Sequence, residues 1–278
     1  MGSPEPAARW NLSFRIMGVL DARSTTMTVR VETTHKLAWN YTNDPNLQIP
    51  PLFLNWKLVS NYGVADMNMT PLRINLNAGN PTMTSTKVAI KPEHLAYFNT
   101  QLWGVNVHVT TPGATPETTM SYQTQNTLLR CDDGKEVFDT TPVAGCVNVK
   151  WQPNVDFPAS QYPNISQNIA AGKAAHNNAG SPGNPLVKVT RAQKNANYSS
   201  TCEKPSYYEP LIGARPGPDE VTGDPFECDE YPFASSEQGG PGNTLKWVPA
   251  KENSSQGGRL GGLYTTHRVM PGDQFIVN

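Results

Sequence analysis

The sequence predicts an α+β chain with two domains: a sandwich-like, all-β domain over residues 1–125 and a mixed α+β domain over residues 126–278. Its 278 residues include 25 prolines and 22 glycines, and only 16% of them are charged. This composition favours strands, turns and long loops over helices. Apolar residues alternate with polar ones in the first half, whereas spacings typical of helices appear after residue 160. The two halves are therefore expected to differ in fold.

The strands of the first half are predicted from period-two alternation. Valines alternate with polar residues in TTMTVRVETT and in LWGVNVHVTT, and PPLFLNWKLVS and TKVAIK are two further candidates. Turn-forming clusters such as YTNDPN, NAGNP and TTPGATPE separate these segments. Strands divided by turns in this way are typical of a β-sandwich. We find no catalytic constellation in this half, so its role is not predicted.

The second half mixes helical and strand patterns. Ile165 and Ile169 lie four residues apart in YPNISQNIAAGKAAHNN, which predicts a short helix that Gly172 weakens. The segment SSQGGRLGGLYTTHRV has apolar residues at helical spacing and predicts a second helix, with His267 on its apolar stripe. That position favours packing at the helix end over catalysis. PLVKVT, NTLKWVPA and QFIVN are strand candidates, and the Pro/Gly-rich residues 205–227 are expected to form a loop.

The four cysteines predict two disulfide bonds. They include no CxxC pair, which disfavours a zinc site. Pairing of sequence neighbours joins Cys131 to Cys146 and Cys202 to Cys228, and each bridge would stabilise the fold by roughly 3 kcal/mol. Disulfides imply an oxidising compartment, so we expect a secreted, extracellular protein. Four buried thiols in a cytosolic protein are the alternative.

Charge and hydropathy limit the classes of partner that the chain is expected to bind. A formal net charge of −1 gives the chain no long-range basic field, so binding of nucleic acid would depend on local contacts. No run of about 18 apolar residues occurs, and we expect no membrane-spanning helix.

The segment CDEYPFASSEQGG, residues 228–240, gathers acids and glycines beside a turn. Asp229 and Glu230 are adjacent and would point to opposite faces of a strand. Residues 229–234 and 243–250 could form a hairpin, followed by a helix with Asn253 and Gln256 at its start. Many metal-dependent nucleases use such a strand–strand–helix unit, and carboxylate and amide oxygens suit Mg²⁺ or Mn²⁺. On spacing alone, a structural role for these acids in a turn remains the alternative.

This segment resembles the signature of the NucA/NucB deoxyribonuclease family. Two acids, an aromatic residue and a proline, followed by a glutamate before two glycines, are the pattern that the family shares with CDEYPFASSEQGG. The segment VPAKENSSQGGRLGGLY and the terminal FIV match the family downstream. Upstream, the matching positions are Tyr162, Pro163, Ile169, an arginine at a strand end (Arg191), RCD around Cys131 and GCV around Cys146. The resemblance covers about residues 128–278.

The resemblance implies a secreted, metal-dependent and largely sequence-nonspecific endodeoxyribonuclease. It implies a ββα-metal core, DNA as the substrate, Mg²⁺ or Mn²⁺ as the cofactor, and a carboxylate where related nucleases use histidine as the base. The chain departs from the small family members at Gln238, where they have a second acid. The implied catalytic residues are Asp229 as the general base, Glu230 for binding the metal or positioning its water, and Arg191 for holding the scissile phosphate. Glu237, Asn253 and Gln256 are implied at the metal.

A second hypothesis is a secreted, β-rich adhesion or carbohydrate-binding protein whose nuclease-like half is degenerate. The β-rich first half and the low charge support it. The two hypotheses combine if the first half binds a surface, a matrix or an inhibitor and thereby holds the nuclease in place.

Overall fold

A computed structural model describes residues 142–278 in full and, among the preceding residues, mainly strands and their pairing. The described ranges are residues 8–19, 23, 26–40, 52–60, 63–64, 72–74, 82–89, 101–110, 119–123, 127–135 and 142–278.

Among the described residues before 149 there are ten strands, and their pairing is antiparallel. They are β1 (Ala8–Val19), β2 (Thr26–Asn40), β3 (Leu52–Ser60), β4 (Gly63–Val64), β5 (Leu72–Ile74), β6 (Thr82–Ala89), β7 (Gln101–Thr110), β8 (Thr119–Gln123), β9 (Thr127–Asp132) and β10 (Gly145–Asn148). One sheet has the order β1-β2-β6, and the other has the order β10-β9-β7-β3-β4, with β5 on β3 and β8 on β7. The four predicted segments correspond to β2, β3, β6 and β7. The sandwich and the domain boundary at residue 125 stay predictions.

The second compact unit contains Val149–Asn278 and has mixed α+β content, as the sequence predicts. Its elements are β11 (Asn154–Val155), α1 (Pro163–Ala175), β12 (Leu186–Val187), α2 (Arg191–Ser200), α3 (Pro205–Ile212), β13 (Phe226–Tyr231), β14 (Thr244–Pro249), α4 (Ala250–Thr266) and β15 (Gln274–Val277). Strands β11, β15 and β12 form one small sheet, and β13 pairs antiparallel with β14. The predicted hairpin followed by a helix is therefore present as β13, β14 and α4.

The core of this unit lies between α1, α4 and the two small sheets. Its buried side chains come from every layer, which ties the hairpin to both helices: Val155, Phe157, Tyr162, Ile165, Ile169, Ala179, Leu186, Tyr231, Phe233, Val248, Leu260, Leu263, Val269, Phe275 and Val277. Burial of this apolar area is the main stabilising contribution to the fold.

Helix α1 confirms the helix predicted around Ile165 and Ile169, and it explains Gly172. The helix presents Ile165, Ile169 and Gly172 to the core. A Cβ atom on Gly172 would lie 2.5 Å from Cδ1 of Tyr231, a residue of β13 that is fully buried. The glycine that weakens the helical propensity therefore makes room for the tyrosine of the hairpin.

Two helices correct the sequence predictions. Residues 205–227 include helix α3, with Pro205 in its first turn, although their composition predicts a loop. Arg191 was expected at the end of a strand, but β12 ends at Val187 and Arg191 begins α2. Thr190 explains this start, because its side chain accepts a hydrogen bond from the backbone N–H of Gln193 (3.2 Å) and caps the helix.

Both predicted disulfides are present. Cys131 pairs with Cys146 across the neighbouring strands β9 and β10. Cys202 pairs with Cys228 and joins the segment after α2 to β13. Within the described residues, no helix is both long enough and apolar enough to cross a membrane.

Replacing Gly172 with alanine should destabilise the protein although alanine is the better helix former. The added methyl group meets Tyr231, and overpacking of this kind costs about 1–3 kcal/mol. Gly262→Ala in α4 is the matched control, because no atom lies within 4 Å of the added Cβ. The control should gain up to about 1 kcal/mol. Thermal unfolding of the two variants measures this, and an equal gain in both would contradict the packing.

Candidate active site

A cleft of about 810 Å³ opens beside the hairpin, between α2, β13 and α4. Asp229 and Glu230 line it from β13, and Asn253 and Gln256 line it from α4. Basic side chains line the same cleft, among them Lys188, Arg191 and Lys194. The structure therefore combines buried acids with basic groups, an arrangement suited to a negatively charged substrate.

Asp229 is the central carboxylate of the cleft. It is 4% exposed, and its Oδ2 oxygen accepts a hydrogen bond from Nδ2 of Asn168 (2.8 Å). Burial disfavours the charged form and raises the pKa of Asp229 from 3.8 to about 7, while the Asn168 bond acts in the opposite direction. A carboxyl group whose pKa is raised towards neutrality suits a role in which it takes up and releases a proton.

Glu230 is buried on the same strand and is tied to the segment after α2. Its Oε2 oxygen accepts a hydrogen bond from the hydroxyl of Thr201 (3.0 Å). Burial also raises its pKa to about 7. Its Oε1 oxygen has no hydrogen-bond partner among the described residues, although it is buried. A buried oxygen in this condition is costly unless a ligand or water meets it in the cleft.

The two amides of α4 lie where the sequence predicts them, in the first turns of the helix. Nδ2 of Asn253 donates to Oε2 of Glu227 (2.9 Å), so Oδ1 is the atom left to contact a ligand. Gln256 is 4% exposed and lies close enough to Asp229 to favour its ionised form. Its Nε2 atom has no partner in hydrogen-bond geometry within the described part of the chain. A donor nitrogen in this place suits a carboxylate or a phosphate better than a cation.

The basic residues reach the cleft from α2 and from the segment before it. Arg191 and Lys194 are three residues apart on α2, and both line the cleft. Lys188 lies with its Nζ atom 4.6 Å from the centre of the Tyr264 ring and donates to the backbone oxygen of Val269 (2.6 Å). Arg191 therefore lines the same cleft as Asp229 and Glu230.

Glu237 is the predicted site residue that the structure does not bring into the cleft. It is exposed, it does not line the cleft, and its backbone N–H donates to the carbonyl of Val187 (2.8 Å). This bond holds residue 237 against β12. Residue 237 therefore lies in a turn that packs on the small sheet, and a role for Glu237 at the metal stays a prediction.

The acids and amides of the cleft include oxygen atoms of the kind that bind divalent cations. No three His, Cys, Asp or Glu side chains cluster at a metal-binding spacing among the residues that the structure describes. The oxygens of Asn253 and the neighbouring acids are hard ligands, and Mg²⁺ retains several waters when only one or two protein groups bind it. Mg²⁺ or Mn²⁺ as the cofactor stays a prediction.

His267 has the helix-end role that its sequence position favours. It follows the last residue of α4, and its ring packs edge-on against Trp151 with 5.0 Å between ring centres. Partial burial lowers its pKa.

Two contacts of the acids come from residues that the sequence did not single out, Asn168 and Thr201. Asn168 lies within the apolar stripe of α1, and a polar residue in such a stripe was the available signal. Thr201 follows helix α2, which the sequence does not predict, and no signal pointed to it.

Comparisons with known proteins bear on the same part of the chain. Residues 179–278 match the family model described as Deoxyribonuclease NucA/NucB, a shorter range than the resemblance at residues 128–278. No curated protein matches the chain. A solved structure of a candidate beta-galactosidase from Bacteroides fragilis is similar over 58% of this chain and 23% of that chain, at 10% identity and a TM-score of 0.27, which is too low to inform the fold or the function.

The matched residues include the basic segment before α2, helix α2, the β13–β14 hairpin and α4. They therefore include every element of the site described above except α1. The predicted resemblance is confirmed over residues 179–278, which match the family model of the deoxyribonuclease NucA/NucB family.

Proposed function

We propose that this protein is a secreted, metal-dependent and largely sequence-nonspecific endodeoxyribonuclease. The family match supports a deoxyribonuclease. The observation that carries the finer proposal is the buried Asp229 carboxylate in a cleft that basic side chains also line. Two disulfides favour an oxidising, extracellular compartment.

Asp229 is the general base of this proposal. Its carboxylate removes a proton from a water molecule as the water oxygen forms a bond to phosphorus. The phosphodiester P–O bond breaks on the opposite side, and the leaving oxygen takes a proton from solvent. Positioned acid–base groups contribute about 10²–10⁴-fold in rate. A pKa near 7 allows Asp229 to accept the proton and then release it at neutral pH.

Arg191 and Lys194 bind the phosphates of the DNA backbone. Charge-assisted hydrogen bonds to non-bridging oxygens hold the substrate and stabilise the charge that grows in the transition state. They read no base, which accounts for cleavage with little sequence preference. Glu230, whose buried Oε1 oxygen has no hydrogen-bond partner among the described residues, orients a water in the cleft.

Asn253 is the residue we propose for holding Mg²⁺ or Mn²⁺, through its Oδ1 oxygen. A bound divalent cation would acidify water and offset negative charge on the phosphate.

Digestion of plasmid DNA tests the proposed function. Wild-type protein should cleave DNA with Mg²⁺ or Mn²⁺, should not cleave it in EDTA, and should act weakly on RNA. Asp229→Asn should lose about 10²–10⁴-fold in rate because an amide cannot accept the proton. Glu220→Gln is the control, and it should stay close to wild type because Glu220 is exposed and does not line the cleft.

Equal cleavage by wild type and Asp229→Asn would contradict the assigned base. A wild-type protein that cleaves no nucleic acid under any of these conditions but binds glycans would instead support the adhesion hypothesis.

Asp229 should also make stability depend on pH. Its pKa is 3.8 in an ordinary environment and about 7 in the fold, so the folded protein binds the proton more tightly than the unfolded chain. The free energy of unfolding should therefore fall as pH rises from about 4 to about 7, by up to roughly 4 kcal/mol for this group. The free energy of unfolding of Asp229→Asn should fall less over that pH range. The decrease that remains is the contribution of Glu230.

Thermal or urea unfolding in EDTA at several pH values measures this dependence. Parallel curves for wild type and Asp229→Asn would show that burial does not perturb Asp229.

A further inference from the structure

Asn168 is a buried polar residue on the core-facing side of α1. It is 1% exposed and shares this side with Ile165, Ile169 and Gly172. An amide costs free energy when it is buried unless its hydrogen bonds are satisfied. An apolar residue would fill the same place on a helix without that cost, so the contacts of Asn168 need an explanation.

Those contacts lead to a single residue. Nδ2 of Asn168 donates to the carboxylate Oδ2 of Asp229 at 2.8 Å and lies 3.3 Å from its backbone oxygen. One amide therefore contacts both the side chain and the main chain of the same residue. This restricts rotation of the carboxylate and fixes its position relative to the strand.

Helix α1 does not need this contact to stay in place. At its start, Oε1 of Glu252 accepts hydrogen bonds from the backbone N–H groups of Asn164 and Ile165, both at 2.8 Å. At its end, Gly172 packs on Tyr231. These two contacts hold the helix independently of Asn168. The bond from the Asn168 amide is therefore assigned to the Asp229 carboxylate and not to attachment of the helix.

We propose that Asn168 is a positioning residue that orients the Asp229 carboxylate for proton transfer. This inference rests on the proposed function, and it adds a residue outside the range that matches the family model. Asn168 touches neither DNA nor the attacking water, and acts through Asp229. The direction of its effect on the Asp229 pKa, opposite to that of burial, agrees with a bond that stabilises the carboxylate.

Steady-state cleavage of an oligonucleotide duplex by Asn168→Leu and Asn168→Ala tests the proposal. Leucine is close to asparagine in size and keeps the core filled, whereas alanine removes the same donor and leaves space. Both variants should lose about 10–100-fold in kcat, the usual effect of removing a partner that orients a reactive group. KM should stay within about two-fold, because the basic residues of the cleft bind the DNA.

Ile169→Val is the matched control. It lies next to Asn168 on the same helix, is 4% exposed, and should lose about 1 kcal/mol in stability with an unchanged kcat. Thermal unfolding of all variants separates loss of fold from loss of rate. If Asn168→Ala fails to fold, the kcat of Asn168→Leu tests the proposal. If Asn168→Leu fails to fold, the kcat of Asn168→Ala tests it.

The outcomes separate the two proposals. If the wild-type protein is active and a folded Asn168→Leu or Asn168→Ala variant has nearly the same kcat, the positioning role alone is overturned. A rise in KM at unchanged kcat also overturns it, since it places Asn168 in DNA binding. An inactive wild type with a normal melting temperature instead overturns the proposed function, and the positioning role with it.

Discussion

The burial of one carboxylate, that of Asp229, is the constraint on which the rest of this site depends. A carboxylate at 4% exposure is costly to ionise, so the surrounding fold has to hold it and to supply donors. The Cys202–Cys228 bridge fixes the residue before it, and Tyr231 anchors the strand two residues after it in the core. Asp229 therefore lies between two rigid points. Its orientation follows from the packing of the hairpin.

The same packing joins the acids to the groups that would act with them. Glu252 of α4 caps α1, the helix whose Asn168 amide contacts Asp229 of β13, and so joins that helix to the one that carries the cleft amides. Thr201 and the disulfide tie β13 to the segment that follows α2, the helix of Arg191. The reactive groups thus come from separate helices, and each helix is fixed to the hairpin by a buried contact. A change in any of these contacts is expected to move the cleft residues relative to one another.

The sequence predicts what depends on local pattern and misses what depends on tertiary contacts. The β13–β14 hairpin, α4 and both disulfides are predictable because alternation, helical spacing and nearby cysteines lie within short segments. Helix α2 has no apolar period, and it is held by Asn197, whose Nδ2 donates to the backbone oxygens of Ala234 and Ser236. Glu237 is part of the family signature, yet its backbone bonds to β12 and its side chain does not line the cleft. Such long-range bonds cannot be read from residue spacing.

Titration of the Asp229 carboxyl carbon by NMR, in EDTA, is the most direct test of this account. Asp229→Asn identifies the signal and separates it from that of Glu230, which burial also shifts. The account predicts a midpoint near pH 7. A midpoint near 4, the value of an exposed aspartate, would show that Asp229 is solvated and would contradict its role as a base tuned by burial.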